Sequence, residues 1–347
     1  MAYPTKASQR KWQLAQVSWA QLAIISIASP AFAQQGEPAA APAVTLKPVV
    51  ISGRTTAPPA DGTGFGDVPL KDVPMSANVI GRDQLQAVSA RRLADLTRFD
   101  ASVGDAYNSP GYWDFISIRG FTLDNRFNFR REGSPISAET AIPLDSKDRI
   151  EILKGTSGIQ AGTSAPGGLV NYVVKRPTAQ NLRDVRIEMS GNGSVLAGAD
   201  LGGRFGDNQA FGYRLNVVQE ELRPVTHNIN GRRSLASLAA DWRISGDSVL
   251  EAEVEWSHKS QPSQNGFSLL GSTLPAPVDP RLNLNNQPWS QPSEFDAITG
   301  SIRFEQAINK DWRWSLQAGS QQLKTDDRLA YAFGCGAENN YDRYCSD

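Results

Sequence analysis

From residue 181 onward the chain alternates apolar and polar side chains, and this period of two constrains the fold more than any other feature. Val185, Ile187 and Met189 stand against Arg186, Glu188 and Ser190; Phe211, Tyr213, Leu215 and Val217 stand against Arg214 and Asn216. Leu250, Ala252, Val254 and Trp256 likewise alternate with Glu251, Glu253 and Glu255, and the pattern returns around 195–201, 238–242, 298–305 and 312–317. Successive side chains of a strand point to opposite faces, so each segment offers one greasy face and one charged face. A soluble sandwich alternates in the same way, so the connections decide. Short turns at Gly206-Asp207-Asn208, Ser245-Gly246-Asp247 and Asn309-Lys310-Asp311 are interleaved with long polar joins at 221–233, 259–294 and from 326 onward. Short turns at one end, long loops at the other, and Trp242, Trp312 and Trp314 beside the short turns predict transmembrane β-barrel strands, apolar toward lipid and polar toward a lumen. Six or seven such strands can be counted, fewer than the smallest closed barrel uses, so the pattern reads as the truncated beginning of a barrel.

The first residues have a different character. Lys6, Arg10 and Lys11 precede an apolar run at 22–28, and Ala31-Phe32-Ala33 follows it. This predicts a secretory signal over 1–33 with cleavage before Gln34; the run falls short of the ~20 residues that a spanning helix needs. Residues 34–65 form a Pro/Ala-rich arm around the β-prone segment 45–52, TLKPVVIS. Such composition buries too little apolar surface to offset its ordering entropy. A strand isolated in this way either adds to a partner's sheet edge or docks back on its own domain.

Residues 66–177 read as a compact α+β domain. The pattern predicts a strand over 74–80, helical turns over 81–96, a strand over 115–121 (FISIRGF), and a turn at Glu132-Gly133 flanked by strand-like pieces. Further strands are expected at 149–153 and 169–174. The glycine-rich stretch between those two is not a phosphate cradle, because Gly167 and Gly168 are followed by Leu169 and Val170 where Lys and Ser or Thr would be required. Its glycines supply tight turns and close backbone approach.

Charge and cysteine content narrow the function. With 35 Lys plus Arg against 36 Asp plus Glu, the chain lacks the cationic footprint of a nucleic-acid binder. Cys335 and Cys345 flank a polar loop with no His or further Cys near them, which outside the cytoplasm points to a local disulfide rather than a metal site. His227 and His258 stand alone. No nucleophile, base and orienting acid converge in any motif, so no catalytic residue, resident metal or cofactor is expected.

LKPVVISG, FISIRGF, the Glu132-Gly133 turn, DRIEILKG, AGTSAPGGLVNYVVKRP and the strands directly after KRP occur in one order. In that order they resemble a TonB-dependent outer-membrane receptor of the siderophore type, over essentially the whole mature chain. The resemblance implies a periplasmic arm whose TonB box, about 45–53, presents Leu46, Pro48, Val49, Val50, Ile51 and Ser52 to TonB and its inner-membrane energising complex. It implies a globular α+β plug (66–177) filling an antiparallel barrel of roughly 22 strands, begun here by residues 178–347 and set in the lipid of a Gram-negative outer membrane. It also implies a ligand, a ferric siderophore whose iron the protein does not itself ligate, held at outward plug apices. By position these are Tyr107, Tyr112 and Trp113, the turn Asp124-Asn125-Arg126, and the segment from Ser137. Tyr107 stands where some members carry Arg, and Ser137 near where some carry Tyr, so the identity of the chelate does not carry over. Arg119 and Lys154 match plug cations that lock onto barrel carboxylates. Uptake of another large nutrient and a non-functional fragment of such a receptor are the alternatives; a passive porin is a distant third.

Overall fold

The structure is a computed structural model, and it describes residues 72, 76–106, 111–155, 166–264, 279–283 and 291–328. The signal segment, the arm with its TonB box, Tyr107 and both cysteines lie outside the described residues.

The first half is the α+β domain. It runs β1 (Ser76–Gly81), α1 (Arg82–Ala87), a 3₁₀ turn (Leu93–Arg98), β2 (Val103–Asp105), β3 (Ile116–Ile118), β4 (Phe121–Thr122), β5 (Phe129–Arg131), β6 (Ser134–Pro135), β7 (Lys147–Lys154) and β8 (Gly168–Val174). One sheet has the order β1-β7-β8-β5-β6 and a smaller one β2-β3-β4. Among the described residues β1 pairs with β7 alone and lies at the edge, whereas β8 is flanked on both sides and every residue in it is buried. Ile80, Leu85, Leu93, Leu96, Ile116, Ile118, Phe129, Ile150, Ile152 and Val170 meet in one core. Each such side chain contributes about 1.5–3 kcal/mol by leaving water.

The expected strand over 115–121 is instead a hairpin. Arg119 and Gly120 take φ of 52° and 84°, and Phe121 turns back to pair with Ile118. Two consecutive left-handed residues match the right-handed twist of flanking strands. The apolar alternation on either side of the turn disguised it. Glu132 and Gly133, with φ of 50° and 78°, make the second turn of this kind, between β5 and β6.

The second half is a single antiparallel sheet of seven strands among the described residues. These are β9 (Leu182–Met189), β10 (Val195–Phe205), β11 (Phe211–Leu222), β12 (Gly231–Arg243), β13 (Ser248–Gln261), β14 (Ser293–Ala307) and β15 (Arg313–Asp326), paired in chain order. The period of two sorts the faces as the sequence requires. Val185, Ile187, Met189, Val217, Val254 and Ile298 are exposed, while Arg214, Asn216, Glu220, Arg233, Glu253 and Glu255 are buried on the other face. A protein that hides arginine and glutamate while showing valine and methionine to its surroundings is built for lipid. Near the short turns the outer face carries aromatic rings: Phe211 stacks on Phe205 and on Trp242, each at 5.7 Å, and Phe304 meets Trp314 at 5.2 Å. They form the interfacial rim such a wall needs.

Candidate functional site

The inner face of the sheet meets the α+β domain through buried charge. Glu253 and Glu255, two residues apart on β13, point to the same side. Arg131 at the end of β5 grips both, with Nε donating to Glu253 Oε1 at 2.9 Å, Nη2 to Glu253 Oε2 at 2.6 Å and Nη1 to Glu255 Oε1 at 2.9 Å. Lys147 Nζ donates to Glu255 Oε2 at 2.6 Å and to Ser146 Oγ at 2.7 Å, and the Ser146 hydroxyl donates to the same carboxylate. Arg131, Lys147, Glu253 and Glu255 are all under 10% exposed. Charges so placed are tolerated only because each finds its partner.

A second contact runs in the opposite sense. Asp145 of the domain accepts from Arg233 Nη1 on β12 at 2.5 Å and from Arg186 Nη2 on β9 at 2.6 Å. Burial alone would raise the Asp145 carboxyl, but the Arg233 guanidinium and then Arg186 outweigh it and hold it at about 2. Arg91 closes the series by donating to Glu188 and, at 3.2 Å, to Glu220. At the junction, Lys175 Nζ reaches Asp200 of β10 at 2.8 Å, while Arg176 Nη2 lies 2.9 Å from Glu132 and 3.7 Å from Glu251 of β13.

The predicted lock residues sit elsewhere. Lys154 bonds Asp100 within its own domain at 2.6 Å, and burial of Asp100 is outweighed by that ammonium and by Ser102, leaving its carboxyl at about 2. Arg119 is exposed at its hairpin turn. Among the described residues the plug cations that meet wall carboxylates are Arg131, Lys147 and Arg91, with Lys175 and Arg176 at the junction. Of these only Lys147 carried a sequence signal, the charge density of residues 145–151, DSKDRIE, in what is also a core strand; charges in such a place need distant partners.

The predicted apex residues divide into two groups. Tyr112 and Trp113 are adjoining rings 4.3 Å apart that pack on Phe295 of β14 at 5.5 and 5.9 Å, and the Tyr112 hydroxyl bonds Asp327. Ser137 exchanges two hydrogen bonds with Gln321 of β15, at 2.9 and 3.0 Å. These three side chains or their backbones seat the apex on the wall. Asn125 is buried and donates to the carbonyls of Asp114 and Ala138, at 3.0 and 3.1 Å, which ties the apex loops together. Asp124 and Arg126 are the open members: Arg126 is exposed, bonds Asp124 and lies 5.5 Å from the face of Phe127.

Comparison with known proteins fits this geometry. Residues 69–169 match the family model described as TonB-dependent Receptor Plug Domain. The chain carries a TonB-dependent receptor plug. The plug and the strands after it are 26% identical over 260 residues to the ferrichrome receptor FcuA of Yersinia enterocolitica, covering 72% of this chain and 33% of that protein. They are 26% identical over 294 residues to the ferrichrome outer membrane transporter/phage receptor of Escherichia coli (strain K12), covering 81% of this chain and 39% of that protein. Among solved structures, BauA, the ferric preacinetobactin receptor from Acinetobacter baumannii, superposes with a TM-score of 0.67 at 18% identity, over 74% of this chain and 39% of that one. The chain thus spans between a third and two fifths of the length of these relatives. A plug joined to antiparallel barrel strands, lipid-facing on one side, belongs in the outer membrane of a Gram-negative bacterium.

Proposed function

We propose that the chain forms the plug and first wall strands of a receptor that takes up ferric siderophores across the outer membrane, driven by TonB and the inner-membrane proton gradient. The observation that carries the reading is a folded plug held to the inner face of a lipid-facing wall by buried ion pairs. A passive porin has no use for a domain that occupies its lumen. The names of the relatives favour a ferric chelate as cargo. Scavenging scarce iron calls for roughly nanomolar affinity, about −12 kcal/mol, and release against that affinity needs work.

In this reading the arm at Leu46, Pro48, Val49, Val50, Ile51 and Ser52 adds as a strand to TonB, and backbone hydrogen bonds carry the force. The open turn residues Asp124 and Arg126 face the ligand, with Tyr107 as its aromatic contact and Arg126 offsetting its negative charge, on an apex that Tyr112, Trp113 and Ser137 brace against the wall. Arg119, exposed at its turn, meets a wall carboxylate outside the described strands, Lys154 stays with Asp100 inside the plug, and Cys335 pairs with Cys345. The test is energy-dependent uptake of radiolabelled ferric hydroxamate by cells carrying the receptor. Val50→Pro removes a backbone donor from the added strand and is expected to abolish uptake while leaving surface binding intact. Uptake unchanged by Val50→Pro would refute the role given to the arm.

A further inference from the structure

A cavity of ≈ 220 Å³ lies where the plug segment after α1 and the apex loop meet β11, β12 and β13. Four cations line it, Arg91, Arg92, Arg233 and Lys259, against a single carboxylate among the described lining residues, Asp114. The three arginines are engaged with carboxylates: Arg91 with Glu188 and Glu220, Arg92 with Asp105 and Asp114, Arg233 with Asp145 and Glu220. Lys259 is not. Among the described residues its ammonium meets one acceptor, the Tyr112 carbonyl, at 3.4 Å. An ammonium has three N–H directions, and Lys259, half-buried at the edge of the cavity, has room for a further acceptor placed within it. Ser234, Ser257, His258 and Gln261 also line the space, and Ile142, Pro143 and Leu222 give it an apolar side. A bare inorganic anion would gain nothing from those surfaces, whereas an organic group could place its carbon against them.

We propose that this cavity binds a carboxylate-bearing organic group, with Lys259 as its principal charge partner and the apolar wall covering its carbon skeleton. The inference deepens the uptake reading, since it makes the transported chelate an acidic one, but the site itself stands on the cavity alone. Lys259 is neither one of the docking ion pairs nor part of the arm.

The experiment uses the full chain in detergent, titrated with citrate and separately with inorganic phosphate, by calorimetry and by the emission of Trp113 next to Tyr112. Saturable citrate binding is expected, tighter than phosphate. Lys259→Met should weaken it by roughly tenfold or more, the loss that goes with one charge-assisted hydrogen bond, and Lys259→Arg should retain most of it. Citrate that fails to bind, or binds Lys259→Met as well as the parent, overturns the proposal; phosphate binding as tightly as citrate overturns the organic class. Should Lys259→Met not fold, Leu222→Asp places an anion on the apolar wall and must weaken citrate by a similar factor, failing which the proposal falls. Uptake of an uncharged ferric hydroxamate, read in cells, is a separate result: it can persist while citrate does not bind, which would sink this inference and leave the uptake reading standing.

Discussion

Glu255→Gln is the sharpest perturbation of plug docking. The substitution keeps the shape of the side chain and removes the charge that accepts from Arg131 at 2.9 Å, from Lys147 at 2.6 Å and from Ser146. An amide oxygen can still accept one bond, but the amide nitrogen can only donate, and it would face cations. Arg131 retains Glu253; Lys147, at 1% exposure, retains only Ser146 among these partners. Removing one member of a buried pair costs about 3–5 kcal/mol. That shifts the docked equilibrium by between about a hundredfold and a few thousandfold. Hydrogen exchange read by mass spectrometry reports it directly: amides of Phe129–Arg131 and Lys147–Lys154 should lose protection by that factor, while the β9–β10 ladder is unaffected. Replacing the whole group, Arg131→Met, Lys147→Met, Glu253→Leu and Glu255→Leu together, should restore protection to near the parent or above it, since an apolar set of similar volume avoids the desolvation penalty. Unchanged exchange in Glu255→Gln would refute the view that this cluster holds the plug.

Further outcomes follow from individual positions. Asp145, held at about 2 against its ordinary 3.8, contributes fully above about pH 4 and loses its contribution of about 2 kcal/mol as pH falls toward 2; near-ultraviolet circular dichroism should show an acid transition in that window that Asp145→Asn lacks. Gly168 has φ of 136°, and a Cβ there would lie 1.9 Å from the Leu153 carbonyl oxygen. Gly168→Ala should therefore destabilise the plug by about 2 kcal/mol or more, visible as a lower thermal midpoint. At the apex, Gly111 has φ of 90° and a Cβ would lie 2.3 Å from the Pro262 carbonyl oxygen; Gly111→Ala should push Tyr112 and Trp113 off Phe295 and red-shift tryptophan emission.

The wall was legible because its information is local. Leu250 through Trp256 alternate within a single strand, and lipid on one side with charge on the other leaves only one way to orient them. The Glu132-Gly133 turn was legible for the same reason. FISIRGF was not, since its alternation continues through Arg119 and Gly120 and only their left-handed backbone reveals the reversal. The docking charges could not be paired from sequence at all: Arg131 and Glu253 are 122 positions apart, and nothing in either neighbourhood selects the other. Sequence did mark Glu251, Glu253 and Glu255 as a wet face, but only the fold brings Arg131 and Lys147 to Glu253 and Glu255. Tyr112 and Trp113 read as ligand-facing aromatics, whereas in the structure they pack on Phe295.

The junction at Lys175 and Arg176 has a mechanical consequence. Between Val174, the end of the last plug strand, and Leu182, the start of the wall, each cation clasps a different neighbour, Asp200 on one side and Glu132 with Glu251 on the other. The domain is thus hinged at its rear, while its front strand, Ser76–Gly81, is bordered among the described residues by one neighbour. Traction arriving along the arm would peel the front first, and the hinged rear would remain as the fixed point to which the displaced part returns.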